Sequence, residues 1–168
     1  MSIRVRLAAS GDFDAVELIE NRADRVLIEH LGAPTWWPAP SAAARAAKPG
    51  FTLLAVCDTT GEPVGFAHVL EAGTMAHLEQ LSVLPEFSRR GYGRQLVLAT
   101  AHEGRLRGYN QLTLRTYADV PWNAPFYGTC GFEQTEPATD FHRALVVVEE
   151  KLGLSALGPR VQMTLQLG

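Results

Sequence analysis

The chain has 168 residues, with 15 Lys and Arg against 18 Asp and Glu, a formal net charge of −3. At 46% hydrophobic and 20% charged, it has the balance of one globular domain spanning 1–168, and disordered and fibrous classes are excluded. The mild acidity argues against a nucleic-acid partner, which usually demands a basic excess.

Residues 3–7 alternate apolar and charged, the pattern of a strand with one face to a core. Ser10 or Asp12 is placed to cap a helix in which Phe13, Val16, Ile19, Ala23, Val26, Leu27 and Leu31 recur at helical spacing up to Gly32. A proline-framed loop carrying Trp36 and Trp37 follows, then a short helix at 42–47 broken by Pro49-Gly50. Residues 51–57 and 64–70 read as a hairpin, and 76–83 as a further strand ended by Pro85. A long helix is expected from Gly91 to about Arg107, with Gly108 as its stop. After it come a strand at 112–117, a short helix within 121–130 and an extended piece from Gly131. Asp140 is placed to cap a helix whose Phe141, Leu145, Val148 and Leu152 form an apolar stripe ending at Gly153. Alternation at 161–167 closes the chain as a strand, and the whole reads as an α/β sandwich.

Cys57 and Cys130 lack CxxC spacing, so no zinc site or disulfide framework is expected, and a reducing cytoplasm is the natural compartment. The opening residues lack the apolar stretch of a signal peptide. The longest apolar runs, such as 144–148, are too short to cross a bilayer, so no membrane partner is expected.

The chemistry concentrates in residues 78–96, which read as strand, proline turn, Gly-x-Gly and helix. Gly91 and Gly93 let the backbone approach a ligand closely, and the helix opening adds unpaired N–H donors with partial positive charge. Arg89, Arg90 and Arg94 put three cations around that opening in an otherwise acidic chain. The combination suits a doubly anionic group such as a pyrophosphate. A Walker loop is excluded because no Gly-Lys-Ser/Thr follows. A dinucleotide fingerprint fails at Leu96, where a third Gly belongs, and at Gln111, where an acidic residue belongs.

The frame Ser88-Arg89-Arg90-Gly91-Tyr92-Gly93 resembles the acetyl-CoA loop of the GNAT superfamily of N-acetyltransferases, Gln/Arg-x-x-Gly-x-Gly/Ala, with Ser88 departing at the first position. A second block, Asn123-Ala124-Pro125-Phe126-Tyr127-Gly128-Thr129-Cys130-Gly131-Phe132, is similar to the family's Asn-x-x-(x)-Phe-Tyr-x-x-x-Gly-Phe signature. The resemblance implies a mostly antiparallel twisted sheet of about seven strands flanked by helices, with the 140–152 helix inserted between the last two strands. It implies acetyl-CoA as cosubstrate, no metal, and direct acetyl transfer to a primary amine of a small molecule or peptide. The pantetheine arm is then expected along Leu81, Ser82 and Val83, and the pyrophosphate on Arg89, Arg90, Gly91, Tyr92, Gly93 and Arg94. Tyr127 matches the family tyrosine that protonates the departing sulfur. Asn123 either orients the cofactor or caps the short helix.

The two-residue strand period puts His77, Glu79, Leu81 and Val83 on one face. Either His77 or Glu79 is a candidate general base, and both match base positions of different family members. Acceptor contacts are expected from the first helix, the Trp36-Trp37 loop and the late insertion. Glu17, Glu20, Asp24 and Glu29 either attract a cationic amine or form a solvated helix face. A homodimer is plausible as the commonest assembly. The competing reading is a non-catalytic acyl-CoA sensor that keeps the arginine-glycine loop without turnover.

Overall fold

The computed structural model describes residues 2–168. One seven-stranded sheet runs through it, built from β1 (Ile3–Leu7), β2 (Phe51–Cys57), β3 (Pro63–Ala72), β4 (Met75–Val83), β5 (Gln111–Tyr117), β6 (Glu133–Thr135) and β7 (Arg160–Gln166). The spatial order is β1-β2-β3-β4-β5-β7-β6. All neighbours are antiparallel except β4 and β5, which run parallel. The helices are α1 (Phe13–Leu31), α2 (Ala42–Ala46), α3 (Tyr92–Leu106), α4 (Ala124–Thr129) and α5 (Asp140–Lys151), and α5 lies between the last two strands as expected.

The helices divide between the faces of the sheet. Leu96 of α3 reaches the Cα of Gly65 so closely that a Cβ there would meet its Cδ1 at 3.2 Å. α3 therefore covers the face that carries Gly65 and Ala67, and α4 is tied to it through Arg94 and Thr129. The opposite face carries Thr52, Phe66 and His68, and α1, α2 and α5 lie there. α1 buries Val16 and Ile19 against it, but also Glu20, whose carboxylate faces Arg45 of α2 at 2.6 Å.

Three local expectations are corrected. Asp12 stands at the start of α1 without capping it; its carboxylate accepts from Arg6 and from the Ala9 amide instead. α5 is capped by Thr139, whose hydroxyl accepts from the His142 amide, and Asp140 is its first helical residue. The stripe proposed for α5 is also rotated. Val148 and Leu152 are exposed, whereas His142 and Glu149 are buried. The reason is the polar floor beneath: Thr113, Arg115 and Arg160 offer hydrogen bonds that apolar side chains cannot answer.

The strand containing His77 and Glu79 departs from a simple alternation. His68 of β3 faces Gln80, but the next residue, Val69, faces Leu78. Glu79 is thus the extra residue of a β-bulge, which rotates everything beyond it. His77 pairs opposite Leu70 on the α1 face, whereas Leu81 and Val83 sit opposite Ala67 and Gly65 on the α3 face. The four residues do not share one face, because the two-residue period restarts at the bulge.

Candidate active site

The site begins where β4 and β5 separate. Their parallel pairing is confined to Met75, Ala76 and His77 against Gln111, Leu112 and Thr113. Beyond His77 the β5-facing edge of β4 has no strand partner, while its other edge stays paired to β3 through Val83. Leu81 and Val83 are half-buried along this opening. Ser82 is buried, its hydroxyl accepts from Gln80 at 3.0 Å, and the register turns its backbone toward Phe66 of β3, so the backbone groups facing the opening are those of Leu81 and Val83.

At the end of β4, Pro85 opens a single 3-10 turn and the chain bends into α3. Gly91 takes φ +82° as the residue before the helix, and Arg89 also takes a left-handed φ of +60°, a conformation that costs a non-glycine residue about 1 kcal/mol or more. The result is a run of exposed backbone. The amides of Arg89, Gly91, Gly93 and Arg94 donate to no backbone carbonyl among the described residues, and the first helical ones point out of the helix N-terminus. The side chains divide. Arg89 is exposed, Arg90 is exposed with its guanidinium 5.3 Å over the Phe87 ring, and Arg94 is committed to Thr129. Tyr92 is buried in the core. The Arg94 side chain is therefore turned toward α4, and Tyr92 has no side chain to offer an anion.

Tyr127 lies on α4, the helix tied to the start of α3 through Thr129 and to β5 through Asn123, and is edge-on to Phe126 at 5.2 Å and Phe132 at 5.7 Å. Its hydroxyl makes no hydrogen bond to the protein among the described residues. Burial raises its pKa above the ordinary phenol value, which keeps the proton on at neutral pH. Asn123 occupies the N-cap position of α4 but makes no side-chain cap; its Oδ1 accepts from Thr116 of β5 at 2.5 Å. That bond fixes α4 over the end of β5.

The two candidate bases have different surroundings. His77 is buried, its Nδ1 shares a 2.8 Å hydrogen bond with Thr113 Oγ1, and the same hydroxyl meets His142 Nε2 at 3.0 Å. Burial, helped by His142, lowers its pKa to about 3. Glu79 is partly open to solvent and sits in a cluster. Lys48 Nζ lies 2.5 Å from one carboxylate oxygen, while Arg45 Nη1 and His68 Nε2 lie 3.6 and 3.7 Å from the other. Those last three atoms are buried and lack hydrogen-bond partners. Gaps of this length are too long for a hydrogen bond and too short for an intervening water, so these are close electrostatic approaches. His68 is in turn joined to Thr52 Oγ1 at 2.7 Å, and burial, reinforced by Arg45, lowers its pKa to about 4.

Sequence reading missed Arg45, Lys48, Thr52 and His68. Only Arg45 and Lys48 lack any usable signal. His68 had one: folding β3 onto β4 about the Gly73-Thr74 turn carries His68 to the level of Glu79 and Gln80. Of the four α1 acids, Glu17, Glu20 and Asp24 face inward to the following segment, whereas Glu29 is exposed on the outer face. Glu17 accepts from the Ala42 amide at 2.9 Å, Glu20 pairs with Arg45, and Asp24 accepts from Trp36. Trp36 is half-buried by that bond, and Trp37 is 65% exposed.

An open parallel seam flanked by a strand edge with free backbone groups and a glycine turn of unpaired amides defines a class, the acetyl-CoA-dependent acyltransferases. The profile of the Acetyltransferase (GNAT) family matches residues 16–132. The chain belongs to this family of acetyltransferases. Among solved structures it is similar in fold to the ribosomal-protein-S18-alanine N-acetyltransferase of Escherichia coli, at 20% identity and a TM-score of 0.70 over 99% of this chain and 94% of that one. It is similar also to the PaiA N-acetyltransferase of Thermoplasma acidophilum in complex with coenzyme A, at 17% identity and 0.71 over 99% of each chain. N-acetylglutamate synthase of Neisseria gonorrhoeae, complexed with coenzyme A and N-acetyl-glutamate, superposes at 16% identity and 0.72 on all of this chain and 36% of its own. Among the described residues, no group of His, Cys, Asp and Glu is arranged to hold a metal ion, and no helix is long and apolar enough to cross a membrane.

Proposed function

We propose that the chain transfers the acetyl group of acetyl-CoA directly to a primary amine of a small molecule or peptide. The observation that carries this reading is the free edge of β4 from the bulge to Val83, running into the turn where the amides of Arg89, Gly91, Gly93 and Arg94 donate to no backbone carbonyl among the described residues. When bound, acetyl-CoA supplies a thioester carbonyl and a sulfur leaving group. The backbone groups of Leu81 and Val83, which face away from β3, hydrogen-bond an amide-bearing chain as a further strand would, while Ser82 between them stays paired to β3. The amides of Arg89, Gly91, Gly93 and Arg94, with the Arg89 and Arg90 side chains, hold a pyrophosphate. Asn123 orients α4 through Thr116 and so sets the position of Tyr127.

Two proton transfers remain. Tyr127 donates its Oη proton to the departing sulfur. Glu79 takes the proton of the attacking amine through a water, its side chain being partly open to solvent. His77, buried under α5 with its base strength lowered, acts as a structural link between β4, β5 and α5.

The test is thermal unfolding of the protein with acetyl-CoA, CoA, NAD and ATP, followed by an amine panel with thiol detection. Stabilisation by acetyl-CoA and CoA alone is expected, about 2.7 kcal/mol at 100 times the dissociation constant. Thiol release that depends on an amine, and that Glu79→Gln lowers, completes the case. Equal stabilisation by NAD or ATP refutes the cofactor assignment, and CoA binding without amine-dependent thiol release refutes the transfer.

A further inference from the structure

Away from the β4 opening lies a second recess, of about 240 Å³, bounded by the end of β1, the start of α1, α2 and the start of β2. Its charged walls are Arg45, Lys48 and Arg107, with Thr52 and His68 between them, and among the described residues no Asp or Glu lines it. That is an uneven distribution in a chain whose acids outnumber its Lys and Arg 18 to 15. The carboxylates that pair with these cations, Glu20, Glu79, Glu71 and Glu103, all lie outside the lining.

The walls are also preformed. The Arg107 guanidinium is stacked 4.3 Å over the Phe51 ring and braced by Glu71 and Glu103. Arg45 and His68 are 3% and 2% exposed and are held in place by Glu20 and Thr52. Fixed cations beside an aromatic wall bind an anion without first losing side-chain entropy. The volume is below that of pockets for drug-sized ligands, so the occupant is small.

We propose that this recess binds a small anion, a carboxylate or phosphate, at a site separate from the acetyl-CoA cleft. Lys48 connects the two places, because its ammonium both lines the recess and pairs with Glu79. An anion in the recess competes with Glu79 for that ammonium. The occupant therefore adjusts the charge beside the base assigned under the acetyl-transfer reading, although its binding does not depend on that reading.

Calorimetric titration of the full chain with phenylacetate, inorganic phosphate and the neutral phenylacetamide tests this, with CoA titrated in parallel. The expected result is saturable one-to-one binding of phenylacetate or phosphate, whichever source the site prefers, with phenylacetamide at least tenfold weaker. Arg107→Gln is expected to weaken the anion about tenfold and Arg107→Lys by less, while CoA affinity is unchanged in both. The His68 ring resonances shift on anion addition. Equal binding of phenylacetate and its amide, no binding of either anion, affinity unaltered by Arg107→Gln, or displacement of the anion by CoA overturns the proposal. Each of these results can occur with CoA still bound normally in the parallel titration, so acetyl transfer stands or falls separately.

Discussion

Arg45 shows how much one side chain can be asked to do. Its guanidinium meets Glu20 of α1 at 2.6 Å and approaches Glu79 of β4 at 3.6 Å, with the Phe66 ring 5.9 Å beneath. Burial raises the Glu20 pKa to about 7 despite this partner, so the carboxylate is costly to keep charged. Removing the arginine by Arg45→Met is expected to cost about 3 kcal/mol at pH 8, the cost of a broken buried pair. At pH 5, where Glu20 carries a proton, the loss is expected to be smaller, and urea unfolding at the two pH values measures the difference. At the reaction itself, Tyr127→Phe removes the proposed proton donor and keeps the ring contacts with Phe126 and Phe132. Turnover is expected to fall about 100-fold with CoA affinity unchanged; an unaltered rate in a thiol-release assay excludes Tyr127 as the acid.

Among the elements, the joint from α2 into β2 depends on Gly50. It takes φ +109°, and a Cβ there would lie 1.8 Å from the Val69 carbonyl oxygen. Gly50→Ala is therefore expected to cost about 3 kcal/mol or more, from backbone strain and overpacking together, and to disturb Lys48 two residues before it; a lowered midpoint in denaturant titration would register it. The strands, α1 and α3 were legible because their cores are built on apolar repeats of two and of three to four residues. Both motif blocks were legible too, since Gly91 and the Phe126-Tyr127 pair act through local chain geometry. The bulge at Glu79 and the polar inner face of α5 were not. A bulge is specified by the partner strand, here His68 and Val69, and leaves no mark on the alternation of its own residues. The inner face of α5 depends on Thr113, Arg115 and Arg160, far away in sequence, which replace apolar burial with hydrogen bonds to His142 and Glu149.

For the molecule as a whole, the buried titratable groups pull stability in opposite directions with pH. His68 and His77 have folded pKa values of about 4 and about 3, below the ordinary 6.5, and His142 is shifted the same way. The unfolded chain binds more protons at these sites, so their contribution is full above pH 6.5 and is lost as pH falls. Glu20 and Asp24, raised by burial to about 7 and about 6, act oppositely and favour the folded state as pH falls toward 4.5. The histidines outlast the carboxylates on the acid side, so unfolding free energy is expected to drop between pH 5 and 4. His77→Gln should flatten that slope by about 1.4 kcal/mol per pH unit, as read from urea titrations across the range; an unchanged slope would show that His77 does not titrate low. The sheet itself has the build of a pair of tongs. Its arms, β1–β4 and β5-β7-β6, share backbone hydrogen bonds only at the vertex formed by Met75–His77 and Gln111–Thr113. Beyond that vertex no strand pairing sets the gape of the arms, and anything seated between them becomes a crosspiece. Binding of CoA should thus slow amide hydrogen exchange along both inner edges at once, on β5 beyond Thr113 as well as on β4, making the cosubstrate a temporary eighth strand of the architecture.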